Sequence, residues 1–114
     1  MPPRLLPESP LSQVVFVHDY VQLVFQDENF SLYNSVRVRL GAIEFEQRST
    51  GFADALVSLI GLAVVEVGSS EDCALMLNFE RGAQVQVLKA RGEEGPEAFQ
   101  FNGRHGPIVV ERNE

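Results

Sequence analysis

One stretch of this sequence repeats its apolar residues at helical spacing, and nearly everything around it alternates or turns. Over residues 49–61, Phe52, Leu56, Leu59 and Ile60 recur on one helical face, while Asp54 and Ser58 share the other. Ser49 or Thr50 supplies a side-chain acceptor for the open N–H groups of the first turn, and Asp54 sits near the positive end of the dipole. Gly61 suits the left-handed residue that closes a helix. The spacing predicts a helix near residues 50–61. A lone amphipathic helix among strands has to lay its apolar stripe on a sheet, so the expected class is α+β.

Size and charge narrow the options further. A chain of 114 residues with 45% hydrophobic composition can bury one core without staples. A single cysteine, Cys73, allows no internal disulfide and suits a reducing compartment. Neither residues 1–10 nor the apolar region 55–67 is long enough for a signal peptide or a membrane span, so the expected location is cytoplasmic. The net charge of −7 speaks against nucleic acid or an anionic membrane as the partner, because binding either requires lysine and arginine to neutralise phosphates.

Residues 1–12 hold four of the six prolines and no periodicity, and are expected to form an extended or disordered arm outside the core of a single domain at 13–114. Val14-Val15-Phe16-Val17 begins the first β region, and from Val21 the apolar residues alternate. Val21, Leu23 and Phe25 precede a polar break, and Phe30 and Leu32 follow it; a four-residue loop, Gln26–Asn29, would pair Phe25 with Phe30 and Leu23 with Leu32. Between Val36 and Phe45 the parity of the apolar positions changes, and a two-residue turn at Gly41-Ala42 restores it. That register also sets Arg39 against Glu44 and Arg37 against Glu46. After the helix, residues 63–67 form a short strand. A loop Glu80-Arg81-Gly82, with Gly82 left-handed, pairs Leu77 with Val85 and Leu75 with Val87. Loops at 91–96 and 102–106 flank Phe99 and Phe101, and 108–110 is the last strand. The sum is seven to nine short antiparallel strands, a meander of hairpins that could close as a sandwich or half-barrel. The pattern around Val21–Leu32 recurs around Leu75–Val87, as two equivalent hairpins would.

Several of these residues carry a resemblance. Gly51-Phe52-x-Asp54-Ala55-Leu56, Leu59-Ile60-Gly61, Asp72-x-Ala74-Leu75-x-Leu77-x-Phe79-x-x-Gly82 and Gly95-Pro96-Glu97-Ala98 are similar to a family of small uncharacterised bacterial proteins. Asp19-Tyr20-Val21-Gln22-Leu23-x-Phe25 and Leu32-Tyr33-Asn34 extend the likeness. It implies an antiparallel α+β fold and no assigned activity. Some similar small bacterial domains serve as immunity proteins beside toxins.

Candidate chemistry is sparse. His18-Asp19-Tyr20 is the densest polar triplet, yet neighbours on a strand face opposite ways, so a strand start with a half-buried tyrosine explains it. Two histidines, His18 and His105, and one cysteine lack ligand spacing, so neither a metal nor another cofactor is expected. Cys73 follows Glu71 and Asp72, a setting for a buried structural thiol rather than a nucleophile. The expected role is therefore a small non-catalytic binding or protein-interaction domain. It could act as a homodimer or as an immunity-type blocker of a basic protein. The alternative is a small-molecule or enzymatic pocket between helix and sheet, lined by His18, Asp19, Tyr20 and Tyr33.

Overall fold

The computed structural model describes residues 5–90, 95–103 and 108–113. The strands are β1 (Gln13–Val17), β2 (Tyr20–Phe25), β3 (Glu28–Leu32), β4 (Val36–Leu40), β5 (Ile43–Glu46), β6 (Val64–Gly68), β7 (Cys73–Phe79), β8 (Ala83–Leu88), β9 (Glu97–Asn102) and β10 (Ile108–Arg112). One helix, α1 (Phe52–Val57), lies between β5 and β6. The strands form two antiparallel sheets, ordered β1-β2-β3-β9-β10 and β5-β4-β8-β7-β6. The ten strands among the described residues exceed the seven to nine expected from the sequence.

Alternation explains how the sheets meet. Along β2 and β7 every second side chain is buried, and Val21, Leu23, Phe25, Leu75, Leu77 and Phe79 join one core cluster with Phe30, Leu32, Val36, Val38, Val85, Val87 and Phe101. Phe25 of one sheet stacks on Phe79 of the other, with ring centroids 6.3 Å apart and planes at 24°. Each sheet thus covers the other's apolar face, and each fully buried aliphatic or aromatic side chain contributes roughly 1.5–3 kcal/mol. Phe25 and Phe79 end the first strands of the two hairpins whose sequence patterns recur, so these hairpins stand in opposite sheets.

The helix plays a smaller part than its sequence suggests. α1 spans six residues rather than residues 50–61, and it contacts β1 of one sheet and β4 and β5 of the other instead of covering a sheet face. Phe52, Ala55, Leu56 and Leu59 are buried, but Ile60 is 44% exposed. Beyond Val57 the bonds tighten: Leu59 N–H donates to Leu56 O and Ile60 N–H to Val57 O. At three residues per turn Leu56 and Leu59 still eclipse, while Ile60 rotates about 120° away from Leu56. The end of this turn is held from outside, since Gly61 N–H donates to Leu11 O and Leu11 N–H to Leu62 O. At the start, neither Ser49 nor Thr50 caps: Gly51, at φ 90°, is the N-cap, and Ser49 Oγ donates to Glu46 O.

The same bonds bring the proline-rich segment inward. Leu11 is 1% exposed and belongs to the core, so the expected arm at 1–12 is not wholly outside it; residues 1–4 lie outside the described residues. The β2–β3 hairpin forms as expected, but through a two-residue turn, Gln26-Asp27, with Gln26 at φ 61°. Leu23 then faces Phe30 and Val21 faces Leu32, a slip of two that keeps every apolar side chain on the inner face. The β4–β5 turn at Gly41-Ala42 and the β7–β8 pairing are those expected, with Gly41 at φ 64° and Gly82 at φ 76°. The expected loops at 91–96 and 102–106, and His105 with them, lie largely outside the described residues.

Candidate functional site

Three features on this scaffold carry polar side chains in organised arrangements. The first is the outer face of the β5-β4-β8-β7-β6 sheet. Antiparallel register lines up Glu44, Arg39, Gln84 and Asn78 in one row and Glu46, Arg37, Gln86 and Met76 in the next. Arg37 Nη1 lies 3.4 Å from Glu46 Oε2, and its Nε donates to Gln86 Oε1 at 2.7 Å. Gln86 Nε2 donates to Gln84 Oε1, Gln84 Nε2 to Asn78 Oδ1 (2.6 Å) and Asn78 Nδ2 to Glu66 Oε1 (3.4 Å). A chain of hydrogen bonds therefore crosses all five strands. Of the two arginine–glutamate pairs read from the sequence, both are cross-strand neighbours and Arg37–Glu46 is an ion pair. The amides are spent on one another, which rigidifies the face and leaves the carboxylates at its two edges to meet solvent.

The second feature is a cleft of about 470 Å³ where the ends of the two sheets approach, lined by Cys73, Lys89, Ala98, Glu111, Arg112 and Asn113 among others. A reciprocal amide pair sits beside it. Asn34 Nδ2 donates to Leu88 O (2.9 Å) and to Asn113 Oδ1 (2.8 Å), and Asn113 Nδ2 donates back to Asn34 Oδ1 (2.8 Å) and to Gly95 O (2.9 Å). Asn34 is 2% exposed and ties the end of β3 to the ends of β8 and β10. In the sequence Asn34 stands only as the end of Leu32-Tyr33-Asn34, and nothing there pairs it with Leu88 or Asn113. Glu28 is also buried, with Oε1 accepting the Glu8 N–H at 2.9 Å.

The third feature is the constellation read from the sequence. His18 and Asp19 form the two-residue turn between β1 and β2 rather than a strand start. His18 Nε2 lies 3.5 Å from Asp19 Oδ1, and their side chains are 95% and 85% exposed. Tyr20 and Tyr33 do come together, with ring centroids 5.2 Å apart and planes at 58°. None of the four lines the cleft described above. Cys73 is a buried free thiol, as expected from its neighbours, and three or more metal-ligating side chains do not converge anywhere among the described residues.

Comparison with protein-family models, with curated proteins and with solved structures returns no match for this chain. No helix among the described residues is long and apolar enough to cross a membrane.

Proposed function

We propose that the domain is a non-catalytic binding module that meets a basic protein, in the manner of an immunity protein blocking a cationic partner. The observation that carries this reading is the distribution of acids around β6, the edge strand of the second sheet. Glu66 lies on β6 itself, Glu71 and Asp72 in the turn to β7, and Glu80 at the far end of β7, all exposed. None of the four forms an ion pair among the described residues, and the nearby Arg81 and Lys89 form none with them. Two of the acids are held in place by neutral donors: Ala63 N–H donates to Glu80 Oε1 at 2.8 Å, and Asn78 donates to Glu66. Fixed, unpaired carboxylates along one edge attract a cationic surface and bind it without first breaking internal pairs. The net charge of −7 supports the same reading.

A pocket under α1 fits the structure less well, because Phe52, Ala55 and Leu56 fill that contact while His18 and Asp19 stand in solvent. The test is an amide-shift titration with a short oligolysine peptide at low salt, alongside co-expression with products of neighbouring genes. The expected result is shifts concentrated around Glu66, Glu71–Asp72 and Glu80. They should fade at high salt and disappear in a Glu66→Lys, Glu71→Lys, Asp72→Lys variant. Shifts scattered evenly over the surface, or indifferent to the triple variant, would overturn the reading.

A further inference from the structure

Each sheet ends in two edge strands, and the four edges are not protected alike. The β5 edge is four residues long and carries Glu44 and Glu46. The β6 edge is interrupted by a register shift between Val64 and Glu66. The β10 edge shifts between Glu111 and Arg112 and ends on those two charges. Short length, charge and bulges are the ordinary means by which an edge is kept from pairing with another chain. β1, by contrast, reads Gln13-Val14-Val15-Phe16-Val17: five residues without a charge or a proline, paired with β2 in unbroken register.

The direction of its free backbone groups follows from the turn. The two-residue turn His18-Asp19 makes Val17 and Tyr20 a hydrogen-bonded pair, and bonded pairs alternate along an antiparallel ladder. Val17, Val15 and Gln13 therefore spend their N–H and C=O groups on β2. Val14 and Phe16 direct theirs away from the sheet, and neither has another backbone partner among the described residues. These two residues sit symmetrically about Val15. A second β1 approaching antiparallel about a twofold axis at Val15 would set Val14 against Phe16 of its copy and Phe16 against Val14. Both pairs are of the hydrogen-bonded kind, so four backbone bonds close at once.

The side chains are suited to the same contact. Phe16 is 49% exposed and Val17 39%, on the two faces of the strand, so pairing would cover apolar surface on both sides. α1, which contacts β1, carries Val57, 46% exposed. Two chains of charge −7 repel, and an uncharged strand is where they can approach with the least cost.

We infer that β1 is a self-association edge, through which two copies of this chain join their first sheets into one continuous antiparallel sheet centred on Val15. This contact is separate from the acidic β6 edge, and salt tells them apart: screening weakens capture of a cation and strengthens association of like-charged chains.

The experiment is sedimentation velocity of the full chain from low micromolar to several hundred micromolar, at low and high salt, with amide exchange read in parallel. The mass should rise toward that of a dimer with concentration and with salt. The Val14 and Phe16 amides should gain protection as it does, while that of Val15, already bonded to β2, stays unchanged. Phe16→Lys places a charge on an already exposed position, and Val14→Pro removes an outward N–H; each should weaken association by about tenfold or more with circular dichroism unchanged. If one variant fails to fold, the other still decides. A wild-type chain that stays monomeric throughout, or a dimer indifferent to both substitutions, overturns the inference.

Discussion

The Asn34–Asn113 amide pair makes a quantitative demand on stability. Asn34 is 2% exposed, donates two hydrogen bonds from Nδ2 and accepts one at Oδ1. A neutral hydrogen bond contributes about 0.5–1.5 kcal/mol net, so Asn34→Ala should cost about 2–4 kcal/mol. Asn113 is only partly buried, and water can replace its partners; Asn113→Ala alone should cost about 1–2 kcal/mol. The two residues share two of these bonds, so the double variant should lose less than the sum, with a coupling of about 1–2 kcal/mol. Urea unfolding of the wild type, the two single variants and the double variant measures this. With a slope of about 1–3 kcal/mol/M, the Asn34→Ala midpoint should fall by about 1–4 M. Asn34→Asp keeps the shape but turns a donor into an acceptor facing the Leu88 carbonyl, and should be at least as damaging as alanine. A coupling within about 0.3 kcal/mol of zero would refute the argument, since independent sites add to that accuracy.

Two further substitutions test the placement of α1. Leu56→Ala empties a fully buried site and should cost about 2–5 kcal/mol, whereas Ile60→Ala, at a position 44% exposed, should change stability by less than about 1 kcal/mol; equal losses in urea melts would contradict the rotation of Ile60 out of the core. At Gly51 the backbone has φ 90° and an added Cβ would lie 3.0 Å from the Phe45 ring, so Gly51→Ala should lower the melting temperature, and an unchanged melt would show that the turn into α1 can relax.

How far the fold could be read from the sequence depended on whether a wrong choice had a physical consequence. At Gly41-Ala42 a continuous strand would have turned Ile43 and Phe45 to the wrong face, and only a two-residue turn kept both the apolar parity and the arginine–glutamate pairs; that register is the one observed. At Gln26–Asn29 the same parity test was blind. A slip of two leaves every side chain on its own face, and the register observed carries Glu28 into the sheet, where its carboxylate accepts the Glu8 N–H. The helix failed for a third reason. Periodicity records which face of a segment is apolar but not what covers it, and here each sheet's apolar face is covered by the other sheet, both being completed by pairings between distant parts of the chain, β3 with β9 and β4 with β8. Once two five-stranded sheets cover each other, α1 has only the gap between β1 and β4–β5 to fill, and six residues with a tightened turn suffice. The candidate residues divide in the same way. Tyr20 and Tyr33 meet because β2 and β3 pair, whereas His18 and Asp19 go to a turn that the strand reading had no reason to place there. Asn34, which reaches across to the other sheet at Leu88, and its partner Asn113 are 79 positions apart, a distance at which no local pattern in a single sequence can pair them.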